Sequence, residues 1–283
     1  MSAAAGVWRD QLRARAIPAE ILEAAPESPY GFPAELFRRR AEHSADGAPT
    51  PTIERAMEAL PEGGTVLDVG VGGGATSIGL ARRTGLIVGV DGQADMLAAF
   101  LDAATAAGAE AQAIEGAWPA VAPEAPAADV VVCGHVLYNV PDLEPFARAL
   151  NDHAARRVVV EITQYHPLAW MNDLWLRFHG VAFPEGPTDQ DARAVLDELG
   201  FGVHREERRA DAGSERGAFD RREDAVALVR RRLCLPGEHD GELAEALGDR
   251  LRDRDGLWSV GPLQHTVVTL WWETGRGGPA ARN

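Results

Sequence analysis

Thr65-Val66-Leu67-Asp68-Val69-Gly70-Val71-Gly72-Gly73-Gly74-Ala75-Thr76 decides the fold. An apolar run ends on a carboxylate, then on glycines at alternate positions, then on a stretch that can open a helix. The pattern predicts a strand, a tight turn whose backbone can press against a ligand, and a helix whose first free N–H groups face that ligand. Further along, Val88-Gly89-Val90-Asp91-Gly92 reads as a second strand ending in an acid, 91 − 70 = 21 residues after the first glycine. That is the spacing at which a doubly wound sheet places a ribose-binding carboxylate. The two stretches together predict a site for a nucleoside-containing cofactor.

Gly70-Val71-Gly72-Gly73-Gly74-Ala75 also satisfies the G-x-G-x-x-G/A dinucleotide pattern, so the glycines alone leave an NAD-type site open. Asp68 separates the two cases. A carboxylate at the strand's end, beside the turn, repels a pyrophosphate and attracts the ammonium group of a methionine-type ligand. This favours S-adenosylmethionine, which carries no phosphate. The other role open to Asp68 is to cap the turn that follows it.

At these residues the chain resembles the class I S-adenosylmethionine-dependent methyltransferases, over residues 65–201. The family's acid-x-Gly-x-Gly-x-Gly signature is matched by Asp68, Gly70, Gly72 and Gly74. Its ribose-binding acid is matched by Asp91, followed by Gly92 and an apolar helix with Met96 and Leu97. A third strand over residues 111–114 leads into Glu115-Gly116-Ala117-Trp118-Pro119, where the family often has Gly-Asp-Ala. Ala117 stands where that Asp would meet the adenine amino group. Backbone groups at Gly116 and Ala117, and the face of Trp118, are then the candidates for adenine recognition. Core packing is the other reading of Trp118.

The remaining landmarks follow the same order. Ala128-Asp129-Val130-Val131-Val132-Cys133 predicts a buried parallel strand. It delivers Gly134-His135-Val136-Leu137-Tyr138-Asn139, similar to the family's segment beside the reactive sulfonium. Residues 143–150 suit a helix and 157–163 a fifth strand. Thr188 and Asp191 have capping-box spacing for a helix running to Leu199, which Gly200 ends. A strand near Val203 and a β-prone stretch over residues 266–272 complete the expected architecture: a doubly wound, Rossmann-like, mostly parallel sheet of seven strands.

Four segments are expected. Residues 1–57 form a helical N-terminal extension, with helices over 8–16, 19–25 and 34–43 broken by Pro18, Pro26, Pro29 and Pro33. Residues 58–218 hold the cofactor core, 219–257 a helical insertion acting as a substrate lid, and 258–283 the last strand and a tail. Residues 45–51 come nearest to a linker. Met171, Leu174, Trp175 and Phe178 fall on one stripe of a helix that docks on the core, closes over substrate or makes a homodimer contact.

Composition narrows the partners. The chain has 283 residues, 46% of them hydrophobic, and a formal charge of −15. Every basic side chain other than histidine is Arg; there is no Lys. Arg38-Arg39-Arg40, Arg221-Arg222 and Arg230-Arg231-Arg232 are interleaved with acids and read as solvated helix faces. A nucleic-acid surface would need a net basic patch, so a small-molecule methyl acceptor is favoured over RNA. Neither a membrane span nor a secretory leader is apparent, and a cytoplasmic protein is expected. Cys133 and Cys234 suggest no disulfide framework, and the His and Cys spacing suggests no metal site.

The resemblance implies methyl transfer, which asks for alignment of a nucleophile and exclusion of water more than for covalent catalysis. A protonated oxygen or nitrogen nucleophile also needs a base. His135 is the first candidate, since its ordinary pKa of about 6.5 suits proton abstraction; lining the cofactor pocket is its other role. Glu161, on the strand expected beside that of His135, orients His135, binds a substrate amine or is held by a backbone donor or an Arg. Tyr138 is a further catalytic candidate, and Tyr165 and His166 are pocket candidates. An RNA methyltransferase, a non-catalytic nucleoside-binding protein and an NAD-type oxidoreductase stand as the alternatives.

Overall fold

Apolar runs too short for helices and rich in Val and Ile assemble here into one sheet. The computed structural model describes residues 2–30, 49–211, 219–262 and 264–275. The expected helix over 34–43, with Pro33 and Arg38-Arg39-Arg40, lies outside the described residues, as do residues 45–48 of the linker. In chain order the first half comprises α1 (Ala3–Ala14), α2 (Ala19–Ala24), α3 (Pro51–Ala59), β1 (Gly64–Val69), β2 (Thr84–Asp91), α4 (Ala94–Ala106), β3 (Ala111–Glu115) and β4 (Ala128–Gly134). The second comprises α5 (Leu143–His153), β5 (Ala154–Thr163), α6 (Asn172–His179), α7 (Asp189–Glu198), β6 (His204–Asp211), α8 (Arg222–Arg232), α9 (Asp240–Leu247), β7 (Leu251–Arg254), β8 (Leu257–Val260) and β9 (Gln264–Glu273).

The seven-stranded sheet has the order β3-β2-β1-β4-β5-β9-β6. Strands β1 to β5 run parallel, and β9 is antiparallel to both of its neighbours. The order reverses between β1 and β4, so a crevice opens beyond their carboxyl ends, where doubly wound sheets bind ligands. The glycine loop after β1 and the His135 segment after β4 flank that crevice.

Continuous apolar runs make sense because both faces of the sheet are covered. Side chains alternate along a strand. Leu67, Val69, Val131, Cys133, Val158 and Val160 pack with Trp8, Phe146 and Trp272. Val66, Val130, Val132 and Val159 pack with Ile53, Ala56 and Leu60 on the other side. Trp8 of α1 is fully buried, and its indole N–H donates to the Val140 carbonyl at 2.8 Å. The Thr188–Asp191 capping box opens α7 as the spacing predicts.

A separate apolar cluster lies beyond the sheet. Met171, Leu174 and Trp175 pack against Val226, Val229, Leu233, Leu243, Leu247 and Val260. The stripe on α6 therefore docks on the insertion. Among the described residues no helix is long and apolar enough to cross a membrane.

Three expectations are corrected. The helix predicted directly after the glycine loop is a series of turns with a 3₁₀ turn at Ile78–Leu80. Thr76, Ser77 and Gly79 are poor helix formers, and the N–H groups of both Ser77 and Ile78 bond the Gly74 carbonyl. Second, the insertion ends in an antiparallel hairpin, β7–β8, so Trp258 and Val260 belong to it and the last strand of the sheet begins at Gln264. Asp255 and Gly256 form its turn with φ of 55° and 82°, the left-handed pair that a two-residue hairpin turn demands. Third, α1 begins at Ala3, five residues earlier than expected (8 − 3 = 5), because the Ser2 hydroxyl caps it at the Ala5 N–H.

Candidate active site

The glycine loop is packed against both neighbouring strands' ends. The N–H groups of Gly70 and Val71 donate to the Val90 carbonyl at 2.8 and 3.0 Å. Gly70 has φ of 73°, and a Cβ there would lie 2.2 Å from Val136 Cγ2. Only glycine fits. The N–H of Gly72 donates to Asp91 Oδ2 at 2.9 Å, and the Gln93 N–H to Asp91 Oδ1 at 3.0 Å. Thus the glycine loop and the second-strand acid belong to one assembly. The Gly74 N–H closes the turn on the Val71 carbonyl, and the Gly116 N–H donates to the Asp91 carbonyl. Gly92 follows Asp91 in open surroundings, with the Gly116 carbonyl 4.0 Å from where its Cβ would be.

Asp68 is 1% exposed, and neither carboxylate oxygen accepts a well-formed hydrogen bond from a described residue. Burial pushes its pKa up to about 7; the Ser77 hydroxyl beside it pulls the value down, and the charge of Asp91 pushes it further up. An acid held this way has unfilled acceptor capacity for a cation arriving at the loop.

His135 sits just past β4 with φ of 60°, an uncommon conformation for a side-chain-bearing residue. Its N–H donates to the Glu161 carbonyl at 2.8 Å. Its ring Nε2 lies 3.0 Å from Glu161 Oε1. The other oxygen, Oε2, accepts the Thr52 hydroxyl at 2.5 Å, and Thr52 Oγ1 lies 2.8 Å from Thr269 Oγ1. The carboxylate thus holds the imidazole from behind by accepting its Nε2–H. In the neutral ring that arrangement leaves Nδ1 as the acceptor. Thr52 carries no sequence motif, and the sequence reading misses it.

His135 and Tyr138 line a cavity of about 780 Å³ between the sheet's carboxyl edge and the cluster around α6 and α8. Aromatic rings of Trp170, Trp175, Phe183 and Phe219 form much of its wall. Tyr138 contributes its ring alone, because its hydroxyl lies 2.6 Å from Thr163 Oγ1 and accepts the Thr163 N–H. Burial pushes its pKa well above the ordinary tyrosine value. Tyr165 is exposed and His166 lines the cavity. Trp118 donates its indole N–H to the Phe146 carbonyl at 3.4 Å and packs edge-on against His153 at 4.9 Å, beside the main core. Ala117 is exposed on the same turn.

Residues 66–156 match the family model described as methyltransferase domain. No curated protein matches the chain. A Bacillus halodurans protein assigned as a methyltransferase is similar in structure, at 15% identity and TM-score 0.51, covering 79% of this chain and 98% of that one. A cyclopropane-fatty-acyl-phospholipid synthase-like protein from Lactobacillus casei has the same identity and score, 15% and 0.51, over 93% of this chain and 99% of that one. Magnesium protoporphyrin IX methyltransferase from Synechocystis, with S-adenosylhomocysteine bound, scores 0.47 at 14% identity over 94% and 99% of the two chains. At these identities the likeness is one of fold. The matched domain, with the reversed strand order and the acid-glycine loop, marks residues 66–156 as a methyltransferase domain.

Proposed function

We propose that the chain methylates a small-molecule acceptor held in the aromatic cavity, with His135 as the base and Glu161 as the residue that positions it. The observation that carries this reading is the 3.0 Å pairing of His135 Nε2 with Glu161 Oε1 at the cavity wall. When bound, S-adenosylmethionine supplies a methyl group already activated on a sulfonium. The residues present fit that cofactor. Asp68 offers buried acceptor capacity for its ammonium group, and Asp91, at the rim of the loop, offers a carboxylate for its ribose hydroxyls. Gly70, Gly72, Gly74 and Gly92 keep the backbone close, and the Gly116–Ala117 turn bounds the adenine side. Trp118 serves chiefly to pack that turn on α5.

His135 Nδ1 takes the proton from the acceptor, and Glu161 stabilises the imidazolium that results. The insertion over 219–260, with α6, excludes water from the cavity. The net charge of −15 speaks against an RNA substrate. The test is S-adenosylhomocysteine production across small-molecule panels: wild type turns over an acceptor and His135→Asn loses at least about 100-fold in kcat. Equal kcat for the two would remove His135 as the base.

A further inference from the structure

Four half-buried arginines elsewhere in the chain meet carboxylates. Arg157 pairs with Glu58 and Glu273, Arg55 with Glu58 and Glu206, Arg205 with Asp189 and Glu207, and Arg230 with Asp240 and Glu27. Arg15, at the cavity wall, is different. It donates to the Pro184 carbonyl and, at 3.2 Å, to Asn172 Oδ1, and it lies over the Phe183 ring at 5.5 Å. All of these partners are neutral. No carboxylate of a described residue lies within 4.0 Å of it. Burial pushes its pKa down to about 10. A guanidinium with spare donors and no counter-ion among the described residues is costly to hold in a half-buried wall.

Its surroundings share that sign. Among the described residues lining the cavity there is no Asp or Glu, although the chain as a whole is strongly acidic. Arg232 lines the opposite helix α8 and donates to the Pro29 carbonyl at 2.5 Å. His166 is close enough to Arg15 to feel its charge, and burial together with that charge pushes its pKa down to about 3. The ring is therefore neutral, and its Nδ1 accepts the Leu168 N–H at 3.2 Å. The proton is on Nε2, so His166 is a fixed neutral donor beside a fixed cation. Planar guanidinium groups match carboxylates in two-point geometry, which a lysine would not.

We infer that the methyl acceptor is an aromatic or otherwise apolar molecule bearing a carboxylate, and that Arg15 and the Nε2–H of His166 receive that carboxylate while the aromatic wall takes the apolar body. This rests on the small-molecule methyltransferase reading and narrows its substrate class. The carboxylate is the anchor, and it supplies the counter-charge that the described lining residues lack.

The probes are 2-naphthoate and its neutral isostere 2-naphthamide, titrated calorimetrically into the full chain saturated with S-adenosylhomocysteine. The acid is expected to bind at least tenfold more tightly than the amide to wild type. In Arg15→Gln the two should fall within about threefold of each other, with S-adenosylhomocysteine affinity unchanged. An acid that binds wild type no better than the amide, including no binding of either, overturns the inference, and needs no variant to do so. So does a preference that survives Arg15→Gln, or a loss of S-adenosylhomocysteine binding in a folded Arg15→Gln, which would assign Arg15 to the cofactor. Wild type that fails to bind S-adenosylhomocysteine at the outset brings down the methyltransferase reading itself.

Discussion

His135 Nε2 lies 3.0 Å from Glu161 Oε1, and the same carboxylate's Oε2 accepts the Thr52 hydroxyl at 2.5 Å. Strands β4 and β5 put Gly134 and Glu161 in register, so the residue after β4 meets the last turn-facing acid of β5 by sheet geometry alone. Glu161→Gln keeps the shape and removes the charge that stabilises an imidazolium. It is expected to lower kcat by about 10- to 100-fold and to leave the KM for S-adenosylmethionine unchanged. A kcat–pH profile is the check, since a merely structural Glu161 would leave its shape intact.

Asp68 carries a linked stability effect of defined sign. Its folded pKa is raised to about 7 from an ordinary 3.8. The folded chain therefore binds more protons than the unfolded one between those values, and stability falls as pH rises through that window. Asp68→Asn removes the dependence. The cofactor-free variant should melt higher than wild type at pH 8 and close to it at pH 4, while S-adenosylhomocysteine binds at least about tenfold more weakly. Melting curves at the two pH values, paired with titrations, read both signs.

Gly70→Ala should be among the most damaging small changes in the loop. The new Cβ would meet Val136 Cγ2 at 2.2 Å, and φ is 73°. A loss of roughly 1–3 kcal/mol in denaturant unfolding is expected, together with loss of cofactor binding as the loop and the His135 segment part.

Trp8→Ala tests the N-terminal helix as part of the site's support. The indole is fully buried and donates to the carbonyl of Val140, two residues beyond Tyr138. About 3–5 kcal/mol of unfolding free energy should be lost. An effect under about 1 kcal/mol would show that α1 is peripheral.

The cofactor half of the molecule was legible because its signals are local. An apolar run, alternating glycines and an acid a fixed distance on are all properties of contiguous sequence, and the strands fall where those patterns put them. The pairing of Glu161 with His135 was also within reach, because two parallel strands end side by side. The β7–β8 hairpin was missed although Asp255-Gly256 between β-prone stretches is a two-residue turn signal; helical spacing upstream outweighed it. No helix follows the glycine loop because Thr76, Ser77 and Gly79 are poor helix formers, a local signal that runs against the pattern of the fold. Thr52 and Arg15 could not have been found. Each reaches the site from the N-terminal extension, across 109 residues to Glu161 and 157 to Asn172, and no motif marks either.

The most direct test of the account is calorimetric titration of the wild-type chain and Asp91→Ala with S-adenosylhomocysteine and with NAD under identical conditions. The account predicts micromolar binding of the sulfur nucleoside to wild type, at least a tenfold loss in Asp91→Ala, and no heat with NAD. Binding of NAD in place of S-adenosylhomocysteine would contradict it.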